Sequence, residues 1–108
     1  MDIHCGFRSD HGIKDMLGGY ATLHFGLNKE STKTFLRKNK FDLIIIIDSE
    51  EYIEAVRESN LDSKIIVEVH TSIERNLEYL SRIEPDDIDG FITVSKYMIG
   101  RIKHHIQP

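Results

Sequence analysis

An α/β domain is the fold class this sequence predicts: a three-layer, Rossmann-like, mostly parallel sheet with helices on both faces. Three observations predict it. Leu43-Ile44-Ile45-Ile46-Ile47, Ile65-Ile66-Val67-Glu68-Val69 and Phe91-Ile92-Thr93-Val94 are apolar runs of strand length. Each leads into one polar residue, Asp48, His70 or Ser95, and then into helix-like periodicity. The polar residues lie 22 and then 25 residues apart, a spacing that suits short βα units with right-handed crossovers.

The elements follow in order. Glycines at 6, 12, 18 and 19 punctuate the first nineteen residues, which hold at most a short strand over Ile3 to Phe7. Tyr20 to Phe25 reads as a strand closed by Gly26 and Asn28 as turn residues, and Glu30 to Asn39 as a helix with Phe35 and Leu36 inward. Strand 43–47 shows no alternation, as expected of a central parallel strand covered on both faces. Asp48 or Ser49 caps the next helix, with Glu50 and Glu51 in its first turn facing the positive end of the helix dipole. Tyr52, Ile53, Ala55 and Val56 then recur at helical spacing, and Asn60 to Ser63 turns the chain into strand 65–69. Thr71-Ser72-Ile73-Glu74 fits a capping box opening a helix whose inner stripe is Ile73, Leu77 and Leu80. Pro85-Asp86-Asp87 interrupts before strand 90–94, and a last helix places apolar residues at 98, 99, 102 and 106.

At 108 residues, 40% hydrophobic and 30% charged, the chain has the composition of one folded domain rather than a disordered segment. Residues 1–40 carry seven Lys/Arg against four Asp/Glu, and residues 41–108 seven against fourteen, which argues against a broad nucleic-acid surface on the second part. The basic residues from Lys29 to Lys40 read as the wet face of a helix. Cys5 is the only cysteine, so neither an internal disulfide nor a cysteine-based zinc cluster can form. No apolar run has the length of a membrane span and the start lacks signal-peptide character, so a cytoplasmic location is expected.

If the three runs are neighbouring parallel strands, Asp48, His70 and Ser95 share their carboxyl edge, where open α/β sheets bind ligands. His70 has the chemistry to donate to a sugar hydroxyl or meet a phosphate, beside helix amides that attract anions; it is equally a junction residue bonded to a neighbouring loop. Asp48 and Ser95 serve either a ligand or a helix cap, and Lys96 joins Ser95 at a helix start. Glu74 reaches the same crevice or completes its capping box. Gly18-Gly19 allows close backbone approach to a ligand or makes a tight turn. The histidines show no metal spacing, and no named phosphate-binding glycine motif is present.

Ile65-Ile66-Val67-Glu68-Val69-His70-Thr71 resembles the His-terminated strand in the amino-terminal domain of two-domain, nucleotide-sugar-dependent glycosyltransferases of the group 1, family 4 (GT-B) type. Gly90-Phe91-Ile92-Thr93-Val94-Ser95-Lys96-Tyr97-Met98 resembles their next strand and helix start, and Phe41 to Asp48 matches their order of elements. The resemblance covers about residues 41–106. It implies an acceptor-side domain facing a carboxyl-terminal donor-binding domain, with His70 toward the transferred sugar and Ser95, Asp48, Lys96 and Glu74 on the substrate side. Gly18-Gly19 would stand near the donor phosphates, with no metal or further cofactor required, and the isolated chain would be inactive. Two alternatives stay open. Phe41 to Asp48 also resembles the phosphoacceptor strand of response-regulator receiver domains, although no Met-Pro follows Asp48 and Asp2 stands without an acidic neighbour. A non-catalytic association module forming a homodimer is the third expectation.

Overall fold

Strands β3 (Leu43–Ile47), β4 (Lys64–Val69) and β5 (Gly90–Thr93) lie side by side in parallel, in chain order, with Ile45 opposite Ile66 and Ile66 opposite Gly90. The computed structural model describes residues 2–10, 12–70, 74–93 and 95–106, leaving aside the side chains of Leu17 and Glu74. Before β3 come β1 (His4–Gly6), α1 (Ile13–Leu17), β2 (Thr22–His24) and α2 (Lys29–Lys38). Helix α3 (Glu50–Glu58) links β3 to β4, and α4 (Lys96–Ile106) follows β5. The protein is thus a small α/β domain of parallel strands and helices, Rossmann-like in its broad topology.

The single three-layer sheet expected from the sequence is divided. β1 and β2 pair in parallel with each other as a separate two-stranded unit, Cys5 opposite Leu23. Each is three residues long, and among the described residues neither pairs with a strand of the larger sheet. Side chains join the two units instead. The Tyr52 hydroxyl on α3 donates to the Leu27 carbonyl at 2.7 Å, Arg8 pairs with Glu51, and the His4 ring stands 5.3 Å from that of Phe41.

The sequence predicts covering helices on both faces, but among the described residues one face of the β3–β5 sheet is left open. Ile46, Ile65, Val67 and Val69 are buried with Ile53 and Val56 of α3 and Met98 and Ile102 of α4. Complete burial of each such side chain contributes roughly 1.5–3 kcal/mol. On the other face Leu43, Ile45, Ile47 and Ile92 remain about half exposed. The reason is topological. Strands added in one direction with right-handed crossovers put every connecting segment on the same side. A run of consecutive isoleucines looks the same whether one face is covered or two.

Helix α2 begins at a capping box: Asn28 Oδ1 accepts from the Ser31 amide at 2.9 Å, and Ser31 Oγ from the Asn28 amide at 2.8 Å. Asn28 is therefore a cap rather than only a turn residue, a role whose loss typically costs about 1 kcal/mol. Lys29 and Lys33 are not simply a wet face, since both reach Glu58 of α3, at 2.6 and 3.1 Å.

The segment after β4 departs most from expectation. It turns as 3₁₀ helices over Glu74–Asn76, Glu78–Arg82 and Pro85–Asp87 instead of one α-helix. Leu77 and Leu80 are still fully buried, and their i, i+3 spacing suits a three-residue turn. The Thr71–Glu74 capping box and Ile73 lie outside the described residues. Of the apolar positions that recur along α4, Met98 and Ile102 carry the packing, while Ile99 is 43% exposed. No helix among the described residues is long and apolar enough to cross a membrane.

Candidate functional site

The register fixes which residues meet at the carboxyl edge. Ile47 is opposite Glu68, and Val69 is opposite Thr93, so Asp48, His70 and Ser95 follow the ends of three adjacent parallel strands. Asp48 adopts φ 45°, the left-handed region in which aspartate is among the better tolerated side chains. There its amide donates to the Glu68 carbonyl at 3.1 Å, and its Oδ2 accepts from the His70 amide at 2.9 Å. Asp48 stitches the two strand ends together and does not cap α3. The cap is Ser49, whose Oγ accepts from the Tyr52 amide at 3.2 Å.

His70 is half exposed, with Nε2 3.2 Å from Glu68 Oε1. Ser95 Oγ accepts from the Met98 amide at 3.3 Å, so the hydroxyl caps α4, and Lys96 beside it is exposed. Glu74 opens the first 3₁₀ turn; its side chain is outside the described set. Gly18 and Gly19 stand apart from these residues. They close α1 and lead into the amino end of β2. A Cβ at Gly18 would stand 2.7 Å from the Lys14 carbonyl oxygen, which explains that glycine by helix termination alone. Gly19 has open space around its Cβ position.

The structure adds a cleft at the same edge, of about 460 Å³, lined by Asp48, Glu50, Arg75, Asn76, Tyr79 and Arg82. Arg82 grips Glu50 with two bonds, Nε to Oε2 at 2.8 Å and Nη2 to Oε1 at 2.9 Å. That guanidinium holds the Glu50 carboxyl below its ordinary value, against a smaller upward push from burial. Tyr79 is only 8% exposed, and among the described residues no group hydrogen-bonds its hydroxyl. Burial first, and then the charges of Asp48 and Glu50, push the phenol up to about 12, so it stays protonated at neutral pH.

Of the cleft residues, the sequence offers Asp48 as a site candidate and Glu50 only as a first-turn carboxylate. Nothing in the residue pattern marks Arg75, Asn76, Tyr79 and Arg82 together as a site. Tyr79 carried a local signal, a hydroxyl between the stripe residues Leu77 and Leu80. Arg82 carried none, because its partner is 32 residues away. Among the described residues no three His, Cys, Asp or Glu side chains gather to hold a metal ion. A second concavity, of about 440 Å³, is an apolar groove between α4 and the segment from Pro85 to Thr93.

No protein-family model matches the chain. No curated protein matches it either.

Proposed function

We propose that this domain binds a hydroxyl-rich, sugar-type ligand at the carboxyl edge of β3–β5. Its role would be that of the acceptor-side domain of a two-domain, nucleotide-sugar-dependent glycosyltransferase. The observation that carries the proposal is the cleft at that edge, where a buried, protonated Tyr79 hydroxyl stands beside Asp48 and the Glu50–Arg82 pair. Such a set supplies carboxylate acceptors, guanidinium and amide donors and one phenol able to do either, which is what several adjacent hydroxyl groups require. Its two carboxylates and two guanidiniums balance, which suits a neutral ligand better than a polyanion.

On this proposal His70 contacts the transferred sugar, while Asp48, Ser95, Lys96 and Glu74 line the substrate side. Gly18 and Gly19, which close α1 and lie outside this edge, would reach the donor phosphates only from the side of the proposed carboxyl-terminal donor domain, so the edge itself carries the proposal. Stabilisation of the transferring sugar would come from hydrogen bonds and charge rather than from a dedicated metal.

The test is equilibrium titration with methyl glycosides of glucose, galactose, mannose and N-acetylglucosamine, using the wild type, Tyr79→Phe and His70→Ala. Saturable binding that weakens about tenfold in Tyr79→Phe, the worth of one good hydrogen bond, supports the proposal. Absence of binding to any of them overturns it. The receiver-like alternative rests on Asp48 ending β3, yet Oδ2 of that residue already holds the His70 amide. Incubation with a small phosphodonor and Mg²⁺, read by intact mass, separates the two; a phosphoryl adduct on Asp48 would favour the receiver.

A further inference from the structure

The open face of the β3–β5 sheet has a composition that fits itself. Leu43, Ile45, Ile47 and Ile92 project from it, at 52, 48, 52 and 45% exposure. Together they present on the order of 400 Å² of apolar surface, within the range of the largest patches that monomers carry, which are often functional. Two charged residues share the face. Lys64 and Glu68 lie on β4, each two residues from Ile66, and strand alternation puts all three on the side opposite the buried Ile65, Val67 and Val69. Lys64 is level with Leu43 at one end of the sheet, and Glu68 with Ile47 at the other.

We propose that this face packs against the same face of a second copy of the chain, with the strands of the two sheets running antiparallel. The twofold axis lies between the sheets, perpendicular to the strands, and passes over Ile45 and Ile66. That operation sets Ile45 against the partner's Ile45 and Leu43 against the partner's Ile47. It also sets Lys64 against the partner's Glu68, and Glu68 against the partner's Lys64, giving two symmetric ion pairs from one arrangement. The other face-to-face stacking, with strands parallel, superposes Lys64 on Lys64 and Glu68 on Glu68 and is disfavoured by like charges. Among the described residues Lys64 has only a long contact, while Glu68 would share its carboxylate between His70 Nε2, at 3.2 Å, and the partner's lysine. Lys64 is 75% exposed and 3.8 Å from Asp89 Oδ1, and Glu68 meets the half-exposed His70 at the rim. Stacked sheets lie about 10 Å apart, close enough for isoleucines from the two faces to interdigitate.

The area sets the strength. Two patches bury about 800 Å² in total, below the standard size of stable complexes and in the range of weak, transient ones, so the dimer is weak and exchanges with monomer. It does not depend on sugar binding at the carboxyl edge.

Sedimentation velocity of the full chain, from low micromolar to near-millimolar concentration, tests it. A reversible monomer–dimer equilibrium is expected. Lys64→Glu should weaken it about tenfold, and the double variant Lys64→Glu with Glu68→Lys should restore it, because reversing both charges recreates the pairs. Ile45→Lys should abolish it. Lys64 is exposed and the Glu68 side chain is about a quarter exposed, so the charge reversals report on association even if the Ile45 variant fails to fold. A strict monomer throughout overturns the proposal, as does a dimer indifferent to Lys64→Glu or one the double variant does not restore. Concentration-dependent growth beyond two copies would also overturn it, since the twofold arrangement closes.

Discussion

The His70 amide donates to Asp48 Oδ2 at 2.9 Å, joining residues 22 apart across the ends of β3 and β4. Asp48 makes this bond only because it turns into the left-handed region, at φ 45°. The bond fixes where His70 leaves the sheet, and Asp48 also lines the cleft that holds Tyr79. The strand ends and the cleft are therefore one structure rather than two neighbouring features.

Asp48→Ala should lower stability by about 2 kcal/mol, combining a lost hydrogen bond to a charged group with the cost of a left-handed alanine. Asp48→Asn keeps an acceptor and tolerates the same backbone, so it should lose less than about 1 kcal/mol. Urea unfolding of the two variants checks this. Equal losses would mean that the His70 amide does not depend on this side chain.

Tyr79→Phe should leave the free protein as stable as the wild type or more stable by up to about 1 kcal/mol, because the removed hydroxyl has no partner among the described residues. It should also remove an alkaline sensitivity. With the phenol raised to about 12 from its ordinary 10, the unfolded chain ionises first. Wild-type stability is then complete below about pH 10 and falls by on the order of 2 kcal/mol as pH rises toward 12. Urea midpoints across that range, compared with Tyr79→Phe, check the sign. A destabilised Phe variant would show that the hydroxyl is bonded in the folded protein.

His4 Nδ1 and His24 Nε2 stand 2.9 Å apart, with the two rings stacked on each other, Phe41 edge-on to His4 and Phe35 tilted against His24. Burial first, and then the His4 charge, lowers the His24 pKa. A histidine lowered in the folded state contributes stability that is complete above its unfolded value of about 6.5 and is lost as pH falls below it. Thermal melts between about pH 7.5 and about pH 5 should fall in the wild type and flatten in His24→Gln. An unchanged acid slope in the variant would place the sensitivity elsewhere.

Much of the second part of the chain was legible from residue pattern. The runs at 43–47 and 65–69 have no competing reading as helices, being short, β-branched and bounded by polar residues. Four features were not legible, each for a physical reason. Whether β3 is covered on one face or two depends on crossover direction, which five consecutive apolar residues do not encode. The 3₁₀ turns at 74–82 carry Leu77 and Leu80 at a spacing that an α-helix shares. The cleft depends on Glu50 and Arg82, brought together only by the tertiary fold. The choice between Asp48 and Ser49 as cap turned on one backbone angle, and Ser49 took the role because Asp48 faces His70.

The most direct test of the central claim is a titration of ¹⁵N-labelled protein with the methyl glycosides, followed by amide shifts. Saturable shifts are expected at Asp48 to Tyr52, at His70 and across 75–82, with β1 and β2 unmoved. Shifts confined to β1–β2 or to the α4 groove, or none at near-millimolar ligand, would contradict it.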